Sequence, residues 1–154
     1  MSSAPPLTPS RFPVVCAGLV VADHLCPPLD HLPRAGELVT IDELVLNIGG
    51  GAANTAVDLA RLGITATIRA RVGNDIFGRF ATETLKAHNV DTSALKIDPE
   101  LATSQTLIVN VRDQDRRFIH CVGANTGFVA ADLDAVLEYS PRVLHIGYFL
   151  ILPR

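Results

Sequence analysis

Three runs of apolar or alternating residues predict the strands of a buried sheet. Residues 12–21 (FPVVCAGLVV) form a continuous apolar run rich in valine, and residues 143–152 form a second one. Continuous apolar runs of this length are typical of strands that helices cover on both faces of a parallel sheet. Residues 64–72 (ITATIRARV) alternate between apolar and polar positions and predict a third strand.

Between the predicted strands, apolar residues recur at helical spacing. Residues 52–62 place alanine and leucine on one face of a predicted helix, and Gly63 follows as its C-terminal cap. Residues 76–89 predict a second helix, and either Asp75 or Asn74 is positioned to cap its first turn.

Two segments in which polar and apolar residues alternate interrupt this order, at about residues 24–48 and 104–122. The first is rich in proline at its start and ends in residues 37–48, which predict a bent strand. The second contains a predicted hairpin, residues 106–111 and 117–122, around a charged turn that includes Arg116. We expect the turn to be a solvated hairpin tip. Segments of this kind suit a small sheet with one face toward solvent or a ligand.

The order of these elements, completed by a short helix at residues 132–139, predicts an α/β fold with a parallel sheet. The last apolar run ends close to Arg154, whereas an open parallel sheet normally continues into a crossover helix. We therefore expect the chain to be the N-terminal part of a longer protein, with residues 12–154 in one domain. Residues 1–11, rich in proline and serine, are expected to form a disordered tail and not a signal peptide.

The composition excludes several classes of protein. Apolar residues make up 48% of the chain and charged residues 19%, which is typical of a folded domain. The net charge is −3 and the basic residues are scattered, so we expect no nucleic acid partner. The apolar runs are shorter than the ~20 residues that a membrane helix needs, so we expect no membrane partner. Three cysteines without a CxxC pair and five histidines without metal-ligand spacing favour a cytoplasmic protein with no metal site.

The strongest local signal is the turn Gly49-Gly50-Gly51, which precedes the predicted helix 52–62. Glycines let the backbone approach a ligand closely, and the first N–H groups of the helix would point at that ligand. Asn54 can both donate and accept hydrogen bonds, which a sugar hydroxyl requires. Two other interpretations stay open on local grounds: a structural turn with Asn54 as a cap, or a dinucleotide-binding turn, of which only the beginning of GxGxxG is present. A P-loop is excluded, because the chain contains no GxxxxGK[ST] sequence.

The spacing of this turn resembles the N-terminal signature of the ribokinase family, also called PfkB carbohydrate kinases. The resemblance rests on residues 49–56, followed by Gly63 and Gly73 at the family's intervals, which is far more specific than a lone glycine triplet. Four further motifs resemble the family's in the same order: VVCAGLVVAD at 14–23, PRAGE at 33–37, VGNDIFG at 72–78 and GAN at 123–125. The resemblance covers about residues 12–154.

The resemblance implies a doubly wound parallel sheet with a small β-sheet lid over a sugar, the lid being formed by segments 24–48 and 104–122. Family members transfer a phosphoryl group from ATP, with Mg²⁺, to a sugar hydroxyl. Carried over position by position, the sugar would be bound by Asp23, Gly50, Gly51, Asn54, Leu107 and His120. The family's catalytic Asp lies in a G-A-G-D motif that this chain lacks, so we expect no catalytic residue here and no tight binding of ATP or Mg²⁺ by this chain alone. The unpaired edges of the lid suggest a homodimer.

Two departures from ribokinase bear on the substrate. Ribokinase has Asn where this chain has Val21 and Lys where it has Gly51, so ribose is not the expected sugar. A ketohexose, a keto-sugar acid and a nucleoside stay open. Two other functions compete with the kinase: a non-catalytic carbohydrate-binding or regulatory module derived from such a kinase, and a dinucleotide-binding oxidoreductase domain.

Overall fold

The computed structural model describes residues 14–137 and 140–148. The predicted tail and the last residues of the predicted helix 132–139 and strand 143–152 lie outside the described residues. The strands are β1 (Val14–Gly18), β2 (Val21–Leu25), β3 (Val45–Gly49), β4 (Ala66–Arg69), β5 (Arg71–Gly73), β6 (Lys96–Asp98), β7 (Gln105–Val109), β8 (Arg117–Cys121) and β9 (Val143–Gly147). The helices are α1 (Gly51–Arg61), α2 (Ile76–Ala87) and α3 (Ala130–Leu137), and a 3₁₀ turn occupies Gly123–Gly127.

Three parallel strands form the centre of the molecule in the order β4-β1-β9, which confirms the predicted α/β fold. Helix α1 packs against this sheet through Ala52, Ala53 and Ala56, which have no solvent exposure. Because alanine side chains are short, the helix lies close to the strands. Its first turn touches the carboxyl end of β9, where a side chain on Gly147 would collide with the backbone of Gly51.

The apolar run 12–21, predicted as one strand, is divided between two strands that belong to different sheets. β1 ends at Gly18, whose φ is +130° and where a side chain would collide with the carbonyl oxygen of Gly147. The buried amide of Asn125 donates to the carbonyl oxygen of Val20 (3.1 Å) and accepts from its N–H (3.5 Å). These bonds replace the hydrogen bonds to a neighbouring strand that the backbone of Val20 would make in a continuous strand, so the chain can leave the central sheet at this point.

The predicted lid is a four-stranded sheet in the order β3-β2-β7-β8. Strands β7 and β8 form the predicted antiparallel hairpin, with Thr106 opposite His120 and Ile108 opposite Phe118. Strand β2 joins the hairpin by parallel pairing with β7, which places Asp23 beside Thr106. A cross-strand row from Asp23 through Thr106 to His120 therefore runs over one face of the lid.

Two other predicted strands are wrong in extent. In the predicted strand 37–48, only residues from 45 onward belong to β3, and the preceding residues are irregular. Ile41 and Leu44 there are exposed, so no sheet face is buried by the alternating pattern. The predicted strand 64–72 divides at Ala70 into β4, which pairs with β1, and β5, which pairs with β6.

The ends of the two longer helices follow the sequence prediction. Asp75 caps α2 by accepting a hydrogen bond from the N–H of Gly78 (2.8 Å), and it also accepts from the N–H and the hydroxyl of Thr103 (both 2.7 Å). Burial disfavours the charged form of Asp75, but these bonds outweigh burial and hold its pKa below the usual value. Gly63 follows α1 with φ +78°, as a left-handed residue after a helix end. The family-like motif around Asp75 thus serves the fold.

A buried carboxylate joins α3 to the ends of three strands. The Asp132 side chain, 1% exposed, lies 2.9 Å from Arg69, 3.0 Å from Arg71 and 2.8 Å from Lys96. Burial alone would raise its pKa, but hydrogen bonds from Lys96, the Val129 N–H and Arg71 lower it. Asp132 is therefore ionised wherever the protein is folded near neutral pH.

Candidate substrate-binding cleft

A cleft of about 590 Å³ lies between the lid sheet and the first turn of α1. Its lining combines the connection after β1, three lid strands, the glycine turn and the residue after β9. The lining residues are Leu19, Val21, Asp23, Gly50, Asn54, Thr106, Ile108, Arg116, Phe118, His120 and Tyr148. Four of the six residues predicted to bind a sugar lie together in this cleft: Asp23, Gly50, Asn54 and His120.

Asp23 reaches the cleft from β2, in space that Gly49 leaves open. A side chain at Gly49 would collide with the Asp23 carboxylate. Burial raises the pKa of Asp23 above its usual value, although a hydrogen bond from Thr106 and the positive potential of His120 and His24 oppose the shift. The carboxylate is thus under-solvated, and ligand hydroxyls that donate to it would replace the water it has lost.

The glycine turn forms the floor of the cleft. Gly50 precedes α1 with φ +95°, and a side chain there would collide with the carbonyl group of Leu19. No side chain caps α1, so the interpretation of Asn54 as a structural cap is wrong. The Asn54 amide is instead exposed at the cleft wall, where it can donate and accept hydrogen bonds.

Gly51 lies beside the cleft and not in its lining. It belongs to an adjoining pocket of about 330 Å³, which Asn54, Thr55, His145 and Tyr148 also line. A side chain on Gly51 would collide with the Tyr148 ring, so the glycine allows that ring to contact the turn. Tyr148 lines both spaces and has φ +57°, which is uncommon for residues other than glycine.

The lid strands contribute His120 to the cleft but not Leu107, contrary to the prediction. Side chains alternate between the two faces of a strand, and Thr106 and Ile108 of β7 line the cleft. Leu107 between them faces the other side of the lid, where it pairs with Ile119. His120 is held by its Nδ1 atom, 2.9 Å from the Thr106 hydroxyl.

Sequence reasoning missed Arg116, Phe118 and Tyr148. Arg116 is exposed, as predicted for the hairpin tip, but it also lines the cleft, with its guanidinium carbon 5.6 Å from the centre of the Phe118 ring. A signal was available, because Arg116, Phe118 and His120 recur at every second position. Tyr148 carried no local signal, since only the central sheet brings the end of β9 to the glycine turn.

Two kinds of feature are absent from the part of the chain that the structure describes. Within residues 14–137 and 140–148, no three His, Cys, Asp or Glu side chains are grouped to hold a metal ion. The helices of these same residues include none long and apolar enough to cross a membrane.

Comparison with known proteins agrees with this architecture. Residues 12–152 match the pfkB family of carbohydrate kinases. The chain is 32% identical over 120 residues to mouse ribokinase, covering 78% of this chain and 37% of that protein. It is 42% identical over 99 residues to the fructokinase of Salmonella typhimurium, covering 64% of this chain and 32% of the relative.

Among solved structures, Arabidopsis thaliana ribokinase in complex with ribose and ATP superimposes with a TM-score of 0.74 at 22% identity, over 88% of this chain and 45% of that one. This likeness shows the ribokinase-like fold. The chain spans less than half the length of each of these proteins. On the family match, the fold and the sequence identity together, the chain belongs to the pfkB family of carbohydrate kinases.

Proposed function

We propose that this chain supplies the sugar-binding side of an ATP-dependent sugar kinase, which transfers a phosphoryl group from ATP to a hydroxyl of a sugar or sugar-like substrate. The observation that carries the proposal is the convergence of the Asp23 carboxylate and the Asn54 amide on one cleft above a bare glycine turn. A sugar hydroxyl donates one hydrogen bond and accepts others. A carboxylate supplies acceptors and an amide supplies both.

The rest of the lining suits the remaining surface of a sugar. Gly50 exposes backbone without a side chain at the cleft floor. The side chains of Leu19, Val21 and Phe118 form apolar walls that can pack against the C–H face of a sugar ring. His120, which the Thr106 hydroxyl holds in place, adds a polar atom at the lid.

The sequence lacks the G-A-G-D motif that carries the catalytic Asp in kinases of this family. The Tyr148 ring packs against Gly51, the first residue of α1. Phosphoryl transfer depends on positioning and on electrostatic stabilisation of the transferred group. We therefore propose that those functions belong to parts of the kinase other than this chain, and that this chain alone is inactive.

A non-catalytic sugar-binding module is the second candidate. It is favoured by the combination of a cleft lined by groups that suit a sugar and a sequence without the G-A-G-D motif of the family's catalytic Asp. Both candidates predict sugar binding, and only the kinase predicts ADP release.

The test combines binding with turnover. Isothermal titration calorimetry with fructose, 2-ketogluconate, ribose and adenosine should detect binding of at least one ligand to this chain. A coupled ADP-release assay should show turnover with the protein expressed from the complete gene and none with this chain alone. Absence of binding to the whole panel would overturn both candidates, and binding without ADP release from the complete protein would favour the module.

We further propose that the lid pairs with the lid of a second copy. Leu107 and Ile119 lie opposite each other on the face of the lid away from the cleft, 37% and 68% exposed. Strands β3 and β8 also present free edges in the described sheet. Sheets of this kind are normally covered or paired. Multi-angle light scattering should show a dimer that Ile119→Lys dissociates, while a monomer at high concentration would refute the pairing.

A further inference from the structure

Arg116 stands on the wall of the cleft although it belongs to the charged turn of the lid hairpin. Arg116 and Phe118 both line the cleft, with the guanidinium carbon 5.6 Å from the ring centre. This contact turns the guanidinium back along the strand, toward the cleft and away from the tip of the hairpin. Arg117, the next residue, alternates to the other face and hydrogen-bonds Gln114.

The positive charge of Arg116 has no carboxylate partner among the residues that the structure describes. The neighbouring Arg112 differs, because its guanidinium pairs with Asp30 at 2.8 Å. The nearest acid in sequence, Asp115, accepts a hydrogen bond from the backbone N–H of Arg116 (2.8 Å). The cleft thus contains a guanidinium that is packed on an aromatic ring and not neutralised by the carboxylates described.

The cleft is electrostatically divided along its length. Asp23, Thr106 and His120 share one cross-strand row, and Phe118 lies two residues farther along β8. Two residues of a strand span roughly 7 Å, and β8 lies two strands, roughly 10 Å, from β2, so the guanidinium over Phe118 lies on the side of the cleft away from Asp23. The positive potential that acts on Asp23 comes from His120 and His24. Because Asp23 and Arg116 line the same cleft, a ligand that extends across it can reach the acidic side and the cationic side at the same time.

We propose that Arg116 selects a substrate with an anionic group, a carboxylate or a phosphate ester, at the end remote from the hydroxyls bound by Asp23 and Asn54. The inference rests on the proposed sugar-binding function and narrows it to acidic sugars. A guanidinium binds both kinds of anion through paired N–H groups, and such charge-assisted bonds are stronger than neutral ones. A neutral ketohexose would leave this end of the cleft without a partner.

Titration calorimetry on the whole chain tests the selection. The ligands are fructose as the neutral sugar, 2-ketogluconate as the carboxylate and fructose 6-phosphate as the phosphate ester. At least one of the two anionic ligands should bind at least ~10-fold more tightly than fructose, and whichever does so shows whether the cleft prefers a carboxylate or a phosphate ester. Arg116→Gln should abolish this preference, so that the anionic ligand binds this variant no more tightly than fructose does, and Arg116→Lys should retain part of the preference. Arg117→Gln is the matched control, since it removes a neighbouring charge from the opposite face, and should retain the full preference.

Ionic strength provides a second readout on the unmodified chain. Raising salt should weaken the binding of the anionic ligand and leave fructose unaffected, because screening acts on exposed charge pairs. Equal affinities for neutral and anionic ligands, or a preference that survives Arg116→Gln, would overturn the role of Arg116 while leaving sugar binding intact. Failure of every sugar to bind would instead overturn the proposed function, and this inference with it.

Discussion

Replacing Asp23 with asparagine should weaken sugar binding while leaving the fold as stable as before, or more stable. The carboxylate has two oxygens, and the Thr106 hydroxyl already donates to this group. The remaining acceptor positions are available to sugar hydroxyls. Charge-assisted hydrogen bonds contribute about 1.5–3 kcal/mol and neutral ones about 0.5–1.5 kcal/mol, so exchanging one for the other costs ~1.4 kcal/mol. The sugar Kd should therefore rise by about tenfold.

Stability should respond in the opposite direction. Because burial raises the pKa of Asp23, folding disfavours its charged form. The stability linked to this group is fully present below its unfolded pKa and is lost as pH rises through the folded, raised value. At pH values above the raised pKa of Asp23, the asparagine amide, which cannot ionise, avoids the free-energy cost of burying a charged carboxylate. Urea denaturation should thus show Asp23→Asn gaining on the unmodified chain as the pH rises from the acid side toward neutrality.

The two measurements separate a binding role from a structural one. Asp58→Asn is the matched control, since Asp58 is an exposed carboxylate on α1 with only a 3.8 Å contact to Arg61. It should change neither the sugar Kd nor the unfolding free energy by a measurable amount. An unchanged Kd in Asp23→Asn, or a loss of binding that follows a loss of stability, would refute the assignment of Asp23 as a ligand.

Three further outcomes follow from single side chains. Asn54→Ala should raise the sugar Kd by roughly fivefold, less than Asp23→Asn, because it removes a neutral bond of about 1 kcal/mol; an unchanged Kd in calorimetry would exclude Asn54 from the site. Asp132→Ala should lower the unfolding free energy by about 3–5 kcal/mol, since it leaves the buried Arg69 without its partner. The unmodified chain should lose this contribution only as pH falls through the lowered pKa of Asp132, and urea denaturation from neutral to acid pH checks both points. Asn125→Ala should cost ~1–3 kcal/mol in the same assay, because it strips the buried Val20 N–H and carbonyl of their partners; a smaller loss would mean that water replaces the amide.

Local features of the chain were predictable because their causes lie within a few residues. The helix pattern at 52–62, the left-handed glycine that follows it and the Asp75 cap of α2 all depend on contacts three or four positions apart. The lid hairpin was predictable for the same reason. Among the predicted site residues, Gly50 and Asn54 came from the glycine turn, whereas Asp23 and His120 came from other positions of the family resemblance.

Strand boundaries were not predictable in the same way, because the alternation of apolar and polar residues does not specify which other strand a given strand pairs with. The runs at 12–21 and 64–72 each continue through a point where the chain leaves the central sheet for another one. Gly18 was the only local mark of the first break. The break itself is caused by residues more than a hundred positions away in the chain: Gly147, which leaves no room for a side chain at residue 18, and Asn125, which hydrogen-bonds Val20.

By itself, the sequence determined the α/β class, the positions of the helices and the turn around which the cleft is built, since periodicity and glycine spacing are properties of the chain. Only the tertiary structure decided which face of each lid strand meets that turn. A shift of one residue sends a side chain to the opposite face, which is why Thr106 and Ile108 line the cleft and Leu107 does not. The same alternation brings Arg116 into the cleft, and the packing of β9 against α1 adds Tyr148, because side chains distant in sequence meet only when the sheets are assembled.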